Sequence, residues 1–495
     1  MAALELAIVG GYLLIALAVG LVAYRVTDGT AEDYYLASRT LGTVVLLFTT
    51  FATLLSAFTF FGGPNLAYGA GPEWILVMGL MDGILFAVLW YVIGYKQWLV
   101  GREHDYVTLG EMLGDRFGST GLRMLVAGVS LFWLFPYVML QQKGAGEAIV
   151  GLTDGAVPFW VGAGVITLFM IAYVLVSGMR GVAWTDTLQG VVMLVLVWGA
   201  AAWVLVAVGG PARATGALAE SNPEFLALGG GLYSPQFVVG TAVYIAFGVT
   251  MFPQINQRFF VARSKQVLQR TFALWPVLVL LLFVPAFMLG AWAAGLGVSV
   301  PEGGNVVPAL LDAYTPGWFA ALVVAGAMAA MMSSSDSMLL SGGSYLTRDL
   351  YRPLFGVTDR EDLVARVGVV VFATGSFLAS LYTPGTLIEI GNTAFGGFAQ
   401  LALPVLVALY WTRTTRAGML AGVLGAQAFY LGNLAAVVVG VQENMAAMGT
   451  AYYLGWHPGI PGMVLSLLLT VGVSLVTSPA STEDRAVYFE GLRAD

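Results

Sequence analysis

The run Ala329–Tyr351, AAMMSSSDSMLLSGGSYLTRDLY, packs hydroxyls and a carboxylate into a long apolar stretch, 318–346. On a helix, positions three and four apart share a face. Ala330, Ser333, Ser337, Ser341 and Ser344 therefore line up, with Ser334 and Asp336 on the margins. Small side chains let a second helix approach closely, and hydroxyl and carbonyl oxygens are hard ligands. Two uses are open to such a face: coordination of a small hard cation, or a tight packing seam between membrane helices. Asp336 leans toward function, because a carboxylate inside a bilayer is costly. It also fits a helix end that reaches water.

The elements that position this face are membrane helices. The chain has 495 residues, 59% of them hydrophobic and only 10% charged. Soluble domains carry about 25% charged residues, so the composition specifies an all-α polytopic membrane protein. There is no cysteine, which excludes disulfides and thiolate metal sites. His104 and His457 fall in loops, against a histidine-based metal centre. No nucleophile–base constellation or nucleic-acid-binding stretch stands out. The chain therefore reads as neither an enzyme nor a nucleic-acid binder, and no obligate protein partner is evident. Its expected partners are the lipid bilayer and a small solute. The N-terminal run MAALELAIVGGYLLIALAVGLVAYR lacks a basic leader region and is long enough to span, so it is expected to stay as the first helix.

Hydropathy gives about thirteen spans, near 4–24, 42–68, 75–97, 121–150, 157–177, 183–208, 234–256, 271–295, 317–346, 363–382, 386–411, 416–440 and 460–478. With the N-terminus outside, all of the 21 Lys and Arg except Arg213 and Lys143 fall inside, Arg258 among them in the link after span seven. This asymmetry predicts a plasma-membrane protein with its N-terminus outside and its C-terminus cytoplasmic.

Two spans carry interruptions. Span two holds Ala52, Thr53, Ser56, Ala57 and Thr59, then Gly62-Gly63-Pro64-Asn65; span seven has Gly248 and Phe252-Pro253-Gln254. Gly and Pro break helices, and in lipid the freed carbonyls survive only where they line a cavity or meet an ion. Interruptions five spans apart point to a transporter built from inverted repeats with discontinuous helices. The plain alternative is a pair of proline kinks. Candidate solute contacts near the breaks or on core helices are Ser56, Phe60, Lys143, Tyr244, Gln254 and Gln400. Lys143 either pairs with Glu147 one turn away or faces the cavity and meets a carboxylate.

Four pieces resemble the sodium:solute symporter family, which includes proline, pantothenate and sodium–glucose transporters. They are YYLASRTLG (Tyr34–Gly42), SGMRGVAWTDTLQGVVML (Ser177–Leu194), AAMMSSSDSMLL running into TRDLY (Ala329–Tyr351), and NTAFGGFAQLALPVL (Asn392–Leu406), with INQRFFVARS (Ile255–Ser264) in support. The resemblance implies a leucine-transporter-like core of two inverted five-helix repeats. The first repeat takes spans two to six (42–208) and the second spans seven to eleven (234–411). Around them come the first helix and inner loop (1–41), an outer loop (209–233), two flanking spans (412–478) and a cytoplasmic tail (479–495). It also implies a Na⁺ site made by the carbonyls of Ala52, Leu55 and Ala330 and the hydroxyls of Ser333 and Ser334. Asp186 then lies on the ion's exit route, or orders a loop by pairing with Arg180. Where proline transporters carry an acidic residue and an aromatic pair, this chain has Leu54 and Ile245 with Val249.

The function so implied is Na⁺-coupled symport of a small organic solute (an amino acid, vitamin or monocarboxylate) by alternating access, with Na⁺ as the coupling ion. Its rivals are a Na⁺-independent uniporter or exchanger on the same fold, and a transporter-like sensor. A 100 mV potential is worth about 2.3 kcal/mol per charge and a tenfold Na⁺ gradient about 1.4 kcal/mol. One Na⁺ then sustains roughly 500-fold accumulation of a neutral solute but only about tenfold of a monoanion. A monoanion would favour a second cation, and the sequence offers no clear second site.

Overall fold

The computed structural model describes residues 2–24, 35–153, 155–301, 304–357 and 360–479. Tyr34, Arg25, Arg485, Arg493 and nearly all of the expected tail lie outside them. Among the described residues, ten helices are long and apolar enough to cross a bilayer, or twelve if each of two bent pairs counts as one span. With the shorter apolar helix Phe159–Leu175, they fall on the thirteen segments read from the sequence.

Spans five and six run as one helix, Phe159–Val208, broken only at Gly178, whose φ of 58° and ψ of −174° suit glycine alone. Span nine, Gly317–Phe355, is the most enclosed: Ser333 through Ser337 are all buried. It packs against spans one, two, four and six. Lipid gives little hydrophobic drive between helices, so close approach and interlocking shapes hold the bundle. Aromatic rings fill the seam of spans two, three and eight, where Trp90 and Trp275 lie 4.6 Å apart and Phe51 meets Trp275 edge-on.

Both interruptions are real bends. Thr43–Leu54 meets Phe58–Ala70 at 62°, and Pro235–Thr250 meets Pro253–Phe260 at 58°. In span seven the break is at Met251-Phe252, beside Pro253 as expected. In span two it is not at Gly62-Gly63-Pro64. The chain leaves the helix at Leu55, which is extended (φ −78°, ψ 119°), and resumes as a π-helical turn, Phe58–Gly62. Pro64 comes just after that turn, and the helix runs on through it to Ala70. The glycines serve packing instead. A Cβ on Gly63 would lie 2.1 Å from the Phe287 ring, and one on Gly290 of span eight 2.1 Å from the Pro64 carbonyl oxygen.

Candidate functional site

Ending the helix at Leu54 leaves the carbonyls of its last turn without the donors a continuous helix would bring. Span nine supplies a replacement. Ser334 Oγ lies 2.9 Å from the Thr53 carbonyl and 2.7 Å from that of Leu55, spanning two acceptors with one hydroxyl. Its neighbour Ser333 donates to Asp186 Oδ1 at 2.5 Å. Ala52 and Ala330, one turn back on each helix, are fully buried. Leu55, Ser333 and Ser334 thus meet at one junction, with the two alanines a turn behind.

Asp186 pairs with Arg258, not Arg180. Arg258 Nη2 is 3.2 Å from Asp186 Oδ2, and both side chains are 1% exposed. The reading of Arg258 as part of an inner link is therefore corrected. It sits in the second half of span seven, Pro253–Phe260, inside the bundle. The same carboxylate oxygen accepts from Thr49 at 2.6 Å and Thr53 at 3.3 Å. Asp336, on the other margin of the serine face, is buried and leaves Oδ1 unpartnered.

Ser56 lies in the break of span two. Its hydroxyl is 3.1 Å from Tyr137 Oη, and Gln141 Oε1 accepts from Ala57 N at 2.9 Å. The Tyr137 ring packs on Phe252 of the span-seven break and on Phe395 of span eleven, at 5.1 and 5.2 Å. Gln254, also at that break, is fully buried with both amide atoms unpartnered. Trp133, Pro136 and Met139, flanking Tyr137 on span four, line a groove of about 1850 Å³ that also reaches Asn65, Tyr244 and Asn392. Tyr244 stacks on His457 at 4.3 Å, and burial holds that imidazole down at about 3.

The remaining candidates lie elsewhere. Phe60 lines a small apolar void with Met193, Leu196 and Val323. Lys143 Nζ lies 3.5 Å from Glu147 Oε1 and 6.0 Å from the Phe159 ring, and no Lys or Arg is among the described residues lining the groove. Gln400 donates to the Gly396 and Gly459 carbonyls, tying span eleven to span thirteen. The sequence reading missed Thr49, Tyr137, Gln141 and the buried place of Arg258. Gln141-Gln142 within an apolar run was a signal for span four. Arg258 gave none, because basic residues at span ends ordinarily face water.

This geometry, two bent helices five spans apart with one break bridged by a serine of span nine, defines a secondary transporter. The sodium:solute symporter profile matches residues 34–425, and the chain belongs to that family. It is a Na⁺-coupled symporter and not an enzyme. It is 29% identical over 468 residues to the sodium/pantothenate symporter of Escherichia coli, covering 92% of this chain and 93% of that one. It is 26% identical over 493 residues to the sodium/proline symporter of Haemophilus influenzae, covering 94% and 93%. Its fold matches a substrate-bound, outward-open Na⁺-coupled sialic acid symporter with a TM-score of 0.78 at 18% identity, over 97% of this chain and 99% of that one.

Proposed function

We propose that the coupling ion binds between spans two and nine, held by the carbonyls of Ala52, Leu55 and Ala330 and the hydroxyls of Ser333 and Ser334. The observation that carries this reading is the pair of hydrogen bonds from Ser334 to Thr53 and Leu55. A hydroxyl that already holds these carbonyls together turns its hydrogen aside when Na⁺ enters, and the Leu55 and Ser334 oxygens then face the same cation. Asp186, by accepting from Ser333, leaves that hydroxyl's lone pairs free for the ion. Neutral oxygens freed by a helix break suit a small hard cation. Asp186 is also the next group along the ion's way out.

The solute binds above this junction, on the floor formed by Ser56, Tyr137, Phe252, Gln254 and Phe395, and reaches it through the groove lined by Tyr244. It is a small carboxylate-bearing compound: pantothenate, proline and sialic acid, named for the relatives, share that group. The repeats take 42–208 and 234–411. The N-terminus faces out and the C-terminus lies in the cytoplasm of a plasma-membrane protein, as the Lys and Arg distribution supports. Uptake of labelled pantothenate, proline and sialic acid into vesicles holding the protein tests this. At least one enters faster in Na⁺ than in choline; equal rates in both for a transported solute reject the coupling.

A further inference from the structure

Next to the proposed ion junction lies a second cluster of oxygens, and it is already filled. Arg258 Nη2 stands 3.2 Å from Asp186 Oδ2, 3.2 Å from Thr49 Oγ1 and 2.6 Å from Ser337 Oγ. Thr53 Oγ1 closes the ring, 2.8 Å from Ser337 Oγ and 3.3 Å from Asp186 Oδ2. The acceptors come from spans two, six and nine and the donor from span seven. All five side chains are buried. Hydroxyls converging on one carboxylate form the donor set of a hard monovalent cation. The atom at their centre belongs to a group that carries a single positive charge at any working pH.

We infer that Arg258 is a tethered cation in what would otherwise be a second ion position, and that it fixes coupling at one Na⁺ per cycle. This rests on the reading of Ser333 and Ser334 as ligands. The two positions share Asp186: Oδ1 faces Ser333 and Oδ2 faces Arg258. A second free ion in the ring would press against the guanidinium in a water-poor interior, with this one carboxylate divided among three positive charges. The tether has a further effect. A bound ion leaves the ring in each cycle, whereas Arg258 stays on span seven. The carboxylate below the junction therefore keeps a counter-charge whether or not Na⁺ is bound.

Equilibrium binding of ²²Na⁺ to the purified full-length chain tests this. The wild-type protein binds one Na⁺ per chain without cooperativity. Arg258→Ala opens the ring and binds two, and millimolar guanidinium returns the count to one. Arg258→Lys keeps a tethered cation on span seven and binds one. Two ions on the wild-type chain would overturn the inference without any variant. So would a monodisperse Arg258→Ala protein that binds one ion at wild-type affinity. No ion on the wild-type chain would instead overturn the underlying reading of the serines.

Discussion

Ser334→Ala separates an ion ligand from a packing residue. The hydroxyl has no acceptor in its own helix; its two contacts are carbonyls across the seam. Its removal takes one oxygen from the proposed coordination shell. An interaction with a charged partner is worth about 1.5–3 kcal/mol, so Na⁺ binding should weaken roughly 10- to 100-fold. The Thr53 and Leu55 carbonyls also lose a buried donor, at about 1–3 kcal/mol of stability. Ser335→Ala is the control, because the Ser335 hydroxyl donates to the Met331 carbonyl of its own helix. The assay is ²²Na⁺ binding to both variants, with unfolding temperature measured alongside. If Ser334→Ala and Ser335→Ala bind Na⁺ within threefold of each other, the serine is a seam residue and the proposed ligand set is wrong.

Three other outcomes are expected. Gly248→Ala puts a Cβ 2.2 Å from the Phe395 carbonyl oxygen, a backbone atom that cannot yield, and should cost about 3 kcal/mol or more; Gly10→Ala, with nothing within 4 Å, should cost little. Fluorescence-detected size exclusion after heating separates the two. Lys143→Met should leave solute affinity within about twofold, because the amine answers Glu147 outside the groove; a tenfold loss in a solute-binding titration would return Lys143 to the cavity. His457 is held neutral by burial, near 3 against an ordinary 6.5, so the unfolded chain takes up a proton first as pH falls. That share of stability is complete above about pH 6.5 and is lost progressively as pH falls toward 3. Unfolding temperatures at pH 7 and pH 5 should show a drop that His457→Phe reduces.

The span pattern and the two bends were readable because bilayer thickness and backbone satisfaction constrain the chain locally. The position of the first bend was not. Gly62-Gly63-Pro64 has the composition of a break, yet those glycines serve contacts with Ile388 and Phe287 that appear only once distant spans are packed. The actual break, Leu55-Ser56-Ala57, looks like ordinary helix; it is stabilised from outside by Ser334 and Gln141. The serine face was visible from its spacing alone. Asp186 came only from the family resemblance, as an exit-route residue or a partner of Arg180, and the arginine that answers it did not, since nothing local to INQRFF marks Arg258 as buried.

The glycine contacts on the bent helices carry a mechanical consequence. The second arm of span two, Phe58–Ala70, is wedged onto span eight at Gly63 and Gly290, and the first arm of span seven, Pro235–Thr250, onto span eleven at Gly248. The other two arms, Thr43–Leu54 and Pro253–Phe260, are instead fastened to each other and to spans six and nine through Arg258. Each arm follows a different set of companions, so displacement between the sets concentrates in the short joints at Leu55–Ala57 and Met251-Phe252. A rigid crosslink across either joint would arrest the machine while leaving every binding group in position.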